Sequence, residues 1–173
     1  MKRFPVIIVL ILAACSAGNH PPLAVVDSVD LSRYLGRWYE IARLPNSFQK
    51  RCVCSSAEYE LNDDGTIRVV NSCLKGDVKG ETEQATGKAF IVDGSNNAKL
   101  RVQFFWPFRG DYWIIELDEQ YQWAVVGTPN RKYLWILARD RNMDETTYSM
   151  LLERIAAKGF DTTMLIREKV ECP

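Results

Sequence analysis

From Arg37 onward, apolar and polar residues alternate in short runs, and each run stops at turn-forming residues. Arg37 to Leu44 ends at Pro45, and Val53 to Leu61 ends at Asn62-Asp63-Asp64-Gly65, with Thr66 to Cys73 beyond that turn. Gly87 to Val92 runs into Asp93-Gly94-Ser95-Asn96, and Ala98 to Phe105 into Trp106-Pro107. Asp111 to Leu117 stops at Asp118, Gln122 to Val126 stops at Gly127-Thr128-Pro129-Asn130, and Tyr133 to Ala138 completes eight. Side chains on a strand alternate between two faces, so regular short alternating runs with turn chemistry between them predict a β-barrel or sandwich. A helical period occurs at Tyr148, Leu151, Leu152, Ile155 and Ala156, with Asp144 placed to cap and Gly159 to stop. Its single apolar stripe suits packing against the outside of a barrel. A ninth strand is expected from Met164 to Arg167.

The amino terminus follows a different pattern. Lys2 and Arg3 precede an apolar run from Val6 to Leu12, then Ala13-Ala14-Cys15. The run is far shorter than the ~20 residues a bilayer-spanning helix needs, and it reads as a secretory signal. Leu12-Ala13-Ala14-Cys15 resembles the lipobox of bacterial lipoproteins. That resemblance implies cleavage before Cys15, acylation of its thiol and its new amino group, and, with Ser16 next, an outer-membrane destination. Each buried CH₂ contributes roughly 0.8 kcal/mol, so several acyl chains would hold firmly. The expected organisation is a signal at 1–14, a lipidated tether at 15–30, and a barrel domain at 31–173.

Composition narrows the chemistry. The 173 residues suffice for one domain. The 22 basic and 22 acidic residues balance, so no nucleic-acid partner is expected. Loss of Lys2 and Arg3 with the signal would leave 20 basic residues, formally −2. The one histidine, His20, stands beside Pro21 and Pro22 in the expected tether. Serine–histidine and cysteine–histidine pairs and histidine-rich metal sites are therefore not expected. Asp63-Asp64 and Asp118-Glu119 fall in turns and read as solvated. The expectation is no catalytic residue, no metal and no cofactor.

Without Cys15, four cysteines remain: Cys52, Cys54, Cys73 and Cys172. In an exported chain an even count points to two disulfides. Cys52 and Cys54 point the same way on one strand and do not suit each other. The turn at Asn62-Gly65 brings Cys73 near both, so register alone leaves their partners open. A bond to Cys172 would close a loop of over a hundred residues.

Three motifs in order carry a family resemblance. Gly36-Arg37-Trp38-Tyr39-Glu40-Ile41-Ala42-Arg43 resembles the Gly-x-Trp signature of lipocalins, in its bacterial and apolipoprotein D-like form. Tyr121-Gln122-Trp123-Ala124-Val125-Val126-Gly127 resembles the second signature, with Asp118-Glu119-Gln120 in place of its usual Thr-Asp lead-in. Tyr133-Leu134-Trp135-Ile136-Leu137-Ala138-Arg139 resembles the third. The resemblance spans roughly Val26 to Pro173 and is nearest to the bacterial outer-membrane lipocalins. It implies an eight-stranded up-and-down barrel with a helix outside, holding a fatty acid or lysophospholipid. It implies that Gly36, Trp38 and Arg139 close the barrel floor as framework, the guanidinium lying over the indole. The ending Glu171-Cys172-Pro173 also resembles apolipoprotein D, which favours Cys54 with Cys172 and Cys52 with Cys73.

Alternation then names a candidate ligand wall. If Trp38 points inward, Glu40 and Ala42 follow. If Arg139 faces the floor, Trp135, Leu137 and Tyr133 share its side, and Trp135 is the leading wall residue. On the sixth strand the face with Tyr112, Ile114 and Glu116 is preferred to that with Trp113, Ile115 and Leu117. Phe104, Trp106 and Phe108 cluster where they could line the mouth. Binding for storage or transport is the leading reading. An enzyme on the same fold, with Cys52 and Cys54 unpaired, and an interaction protein with a plugged barrel are the alternatives. A homodimer is the protein assembly left open.

Overall fold

The computed structural model describes residues 20–168 and 171–172, so the expected signal and Cys15 lie outside the described residues. Eight strands follow the alternating runs: β1 Gly36–Arg43, β2 Cys52–Leu61, β3 Ile67–Lys75, β4 Thr82–Ile91, β5 Lys99–Phe105, β6 Phe108–Leu117, β7 Trp123–Gly127 and β8 Leu134–Ala138. Each pairs antiparallel with the next, and β8 pairs with β1, so the sheet closes on itself. Closure removes exposed strand edges. β9, Ile166–Arg167, pairs with Ala42 and Arg43 of β1, beyond the stretch Gly36–Tyr39 that pairs with β2.

The up-and-down order sorts the connections to two ends. The start of β1 and the turns at 62–66, 92–98 and 118–122 share one end. Connections 44–51, 76–81, 106–107 and 128–133 share the other. The first end is closed by a short helix, α1, Leu31–Tyr34, whose Asp30 cap accepts from Ser32 N at 2.9 Å. Four residues carry too little periodicity to be seen in sequence.

Two apolar clusters divide the strand faces. Inside lie Trp38, Tyr59, Ile67, Val69, Ala89, Leu100, Ile114, Val126 and Leu137. Outside, Ile41, Ile115, Val125, Leu134 and Ile136 meet α2, Glu145–Ala157. The helix begins where Asp144 Oδ1 accepts from Thr147 N at 2.9 Å, and its stop residue Gly159 has φ +86°. Of the stripe, Tyr148, Leu151 and Ile155 are buried, Leu152 is half-buried, and Ala156 faces solvent. Each such aliphatic side chain contributes roughly 1.5–3 kcal/mol of burial.

Two expectations about facing change. β1 shifts register between Glu40 and Ala42, and β6 between Ile114 and Glu116. A bulge inserts one unpaired residue and reverses the facing beyond it. Ala42 therefore packs outside with the helix cluster, and Arg43 takes the inward place opposite Trp135. Glu116 likewise turns outward, to Arg154 Nη1 at 3.1 Å on the helix and Lys158 Nζ at 3.0 Å just past its end, while Leu117 packs inside.

β4 begins at Thr82, earlier than the apolar alternation starts, because its polar first half is held by pairing with Asn71–Leu74 of β3. Residues 23–30, read as tether, lie against the barrel. Leu23 and Val29 are buried, Val26 N donates to Ile114 O at 3.1 Å, and Val29 N to Asn96 O at 2.9 Å. The disulfides are Cys52–Cys73 and Cys54–Cys172. That is the pairing which the resemblance favoured.

Candidate functional site

The closed end is filled and hydrogen-bonded. Trp38 is fully buried, its Nε1 donates to Tyr34 O at 2.7 Å, and Arg139 Cζ lies 3.8 Å from its ring centroid. The same guanidinium donates to the carbonyls of Arg37 at 2.7 Å, Arg33 at 2.6 Å and Leu35 at 2.9 Å. One side chain thus closes the turn into β1 and covers the indole. Gly36, at φ +88°, makes that turn in a conformation other residues rarely adopt.

Above the indole sits a chain of phenols. Tyr112 Oη lies 2.8 Å from Tyr34 Oη and 2.9 Å from Tyr59 Oη. Burial pushes Tyr59 up to about 12 and raises Tyr34 and Tyr112 well above the ordinary phenol value. All three stay neutral at physiological pH and act as hydrogen-bonding groups, not bases.

The upper half of the barrel differs. Register carries the inward face from Val69 to Asn71, from Ala89 through Gly87 to Ala85, and from Tyr112 to Gly110. Asn71, Ala85 and Gly110 are nevertheless exposed, and Val102, Phe104, Tyr112 and Trp135 are only half-buried. Inward residues that meet solvent define a hollow, and Ala85 and Gly110 leave it room. A Cβ on Gly87 would lie 2.8 Å from the Phe104 ring, so that ring occupies the space a larger residue would fill.

One wall of the hollow is polar. Glu40, expected inward, is inward and buried. It accepts from Arg43 Nη1 at 2.8 Å and from Gln49 Nε2 at 2.7 Å. Gln49 Oε1 accepts from Trp135 Nε1 at 2.9 Å, which fixes the indole named as the leading wall residue. Arg43 is buried too, and its Nε has no acceptor among the described residues. Burial raises the Glu40 carboxyl above its ordinary 4.5, against the opposing pull of Arg43. At the rim Tyr133 stacks on Trp135 at 6.1 Å between centroids, and Phe48 approaches Tyr133 at 5.5 Å.

The structure thus brings Glu40, Tyr133 and Trp135 together, with Tyr112 and Phe104 also facing inward. Trp106 and Phe108 stand apart at the tip of the β5–β6 hairpin, 86% and 77% exposed. Arg43, Gln49 and Phe48 escaped sequence reasoning. The bulge moved Arg43 inward, and Gln49 and Phe48 lie on a loop that carries no period.

Competing chemistry loses its parts. Cys52 and Cys54 are in disulfides and offer no free thiolate, so the clusters with Glu83 and Glu168 present no sulfur ligand. Asp64 is held near 2 by hydrogen bonds from Thr66 and Lys88, and Asp118 Oδ2 accepts from Gln120 N and Gln122 N as a turn former. A surface depression of about 510 Å³ is lined by Asn62, Asp63, Asp64, Arg68 and Lys88, with Asp64 paired to Lys88 and Arg68 to Glu60.

A closed eight-stranded antiparallel barrel, sealed below and hollow above, is the class whose interior holds side chains or one small ligand. The chain belongs to the lipocalin family, whose members bind small hydrophobic ligands: the lipocalin-like domain matches residues 29–170. It is 39% identical to the outer membrane lipoprotein Blc of Vibrio cholerae over 167 residues, covering 96% of this chain and 97% of that one. It is 42% identical to temperature-induced lipocalin-1 of Arabidopsis thaliana over 152 residues, 83% of this chain and 80% of that one. Insecticyanin from Manduca sexta shares the fold at a TM-score of 0.70 and 22% identity, over 89% of this chain and 87% of that one.

Proposed function

We propose that the protein holds a fatty acid or lysophospholipid in the upper hollow, for storage or transport at the outer membrane, with acylated Cys15 as its anchor. The observation that carries this reading is the set of inward yet exposed residues Asn71, Ala85 and Gly110 beside half-buried Trp135 and Tyr112. An apolar cavity with a few polar groups suits a long tail with one polar head. Val102, Phe104 and Trp135 serve the tail. Arg43 serves the head as the cation of the polar wall, where Glu40 already holds its guanidinium in place. Anchorage beside a phospholipid source fits the similarity to an outer membrane lipoprotein.

Titration with a fluorescent fatty-acid probe tests the wall. Trp135→Ala weakens affinity by about tenfold, the scale of one lost aromatic contact, while the fold survives. An unchanged titration would remove Trp135 from the wall. Arg43→Met weakens a fatty acid more than the alkanol of equal length; equal losses would place the head elsewhere. Cys15→Ser releases the protein from membrane pellets, and continued sedimentation would count against the anchor.

A further inference from the structure

The segment before the barrel runs from one end of the molecule to the other. At its lower end Val29 N donates to Asn96 O in a closed-end turn. Val26 N reaches Ile114 O partway up, and Leu23 packs with Phe160 and Ile115 in the helix-side cluster. Higher still, Pro21 O accepts from Arg131 Nη2 at 2.7 Å, and His20 lies against Gly159. Arg131 belongs to the connection between β7 and β8, at the open end. His20, the first described residue, therefore lies beside the mouth.

Cys15 precedes His20 by five residues. Five residues span at most about 18 Å when fully extended. An acylated Cys15 accordingly holds the mouth, not the floor, close to the bilayer. That same end presents large apolar side chains to solvent: Phe48 at 63% exposure, Phe105 at 78%, Trp106 at 86% and Phe108 at 77%. Three of these form a continuous tip on the β5–β6 hairpin, with Pro107 among them. Exposed apolar patches mark docking surfaces, and tryptophan favours the bilayer interface, where its ring is apolar and its N–H is wet.

We infer that the barrel mouth faces the membrane, with the Phe105–Phe108 tip seated in the headgroup region of a phospholipid bilayer. This inference rests on the anchored reading above. Cargo would then pass between bilayer and hollow without crossing bulk water.

The test uses the mature lipidated protein in vesicles of phosphatidylethanolamine and phosphatidylglycerol, part of them brominated on the acyl chains. Bromine quenches nearby tryptophan. Trp106→Phe, at an exposed position, keeps the fold and loses most of the quenchable fluorescence. Brominated lipid that enters the hollow quenches Trp135 in parent and variant alike, so the difference reports on Trp106. Equal quenching in both proteins would overturn the orientation. A parent protein that does not sediment with the vesicles would overturn the anchor and the orientation with it. Lysophospholipid titration in detergent-free solution judges the cargo reading separately.

Discussion

The two ends of the barrel are held by different means. At the closed end, side chains do the work. Trp38, Tyr34 and Ile67 are almost fully buried, and Arg139 ties four backbone carbonyls and an indole together. At the open end, inward Asn71, Ala85 and Gly110 are small or polar and exposed, Phe104 and Trp135 are only half-buried, and Phe48 and Trp106 stand in solvent. There the covalent bonds take over: Cys52–Cys73 joins the start of β2 to the end of β3, and Cys54–Cys172 joins β2 to the chain end across 118 residues. A mouth that must stay empty cannot be stabilised by filling it, so it is stabilised by staples. Glu168 adds to this, its Oε2 accepting from Cys54 N at 2.6 Å.

The contrast can be broken from either end. The largest expected effect comes from Cys172→Ser, which opens the long loop and costs about 4–5 kcal/mol in the chain-entropy model. Denaturant unfolding checks it, and a loss under about 1 kcal/mol would mean the mouth does not depend on its staple. Trp38→Ala follows, at about 3–5 kcal/mol, for a fully buried indole. Lipid affinity measured well below the new midpoint should change little, because the floor is framework. Arg139→Lys comes next, at about 1–2 kcal/mol, since an ammonium cannot span several carbonyls while lying flat on the indole.

The smallest effect sharpens the polar wall. Burial raises Glu40 above its ordinary 4.5, so its folded form takes a proton more readily than its unfolded form. The stability linked to that proton is fully present below about pH 4.5 and declines as pH rises through the elevated value. Glu40→Gln should remove that decline from the difference between the two stability–pH profiles. Parallel profiles would show that Arg43 and Gln49 leave the carboxyl unperturbed.

The floor was the more legible end. Gly36, Trp38 and Arg139 stand in the motifs themselves, and alternation located each of the eight strands. The mouth was less so, for identifiable reasons. The bulges after Glu40 and after Ile114 leave no mark in the pattern of polar and apolar residues, so alternation placed Ala42 and Glu116 inside and missed Arg43. Phe48 and Gln49 act from a loop, where facing is set by neighbours and not by a period. The polar opening half of β4 looks like a loop because one face meets solvent and the other meets the hollow. Residues 23–30 read as tether because they follow Pro21 and Pro22 and carry no helical period, although backbone bonds fix them as a strap.

Native mass spectrometry of the protein released from outer membranes addresses the hollow most directly. A one-to-one adduct with the mass of a fatty acid or lysophospholipid is expected, retained in Trp106→Phe and lost or much reduced in Trp135→Ala. A parent protein that carries no adduct, and takes up none when saturated with either lipid, would contradict this reading of the hollow.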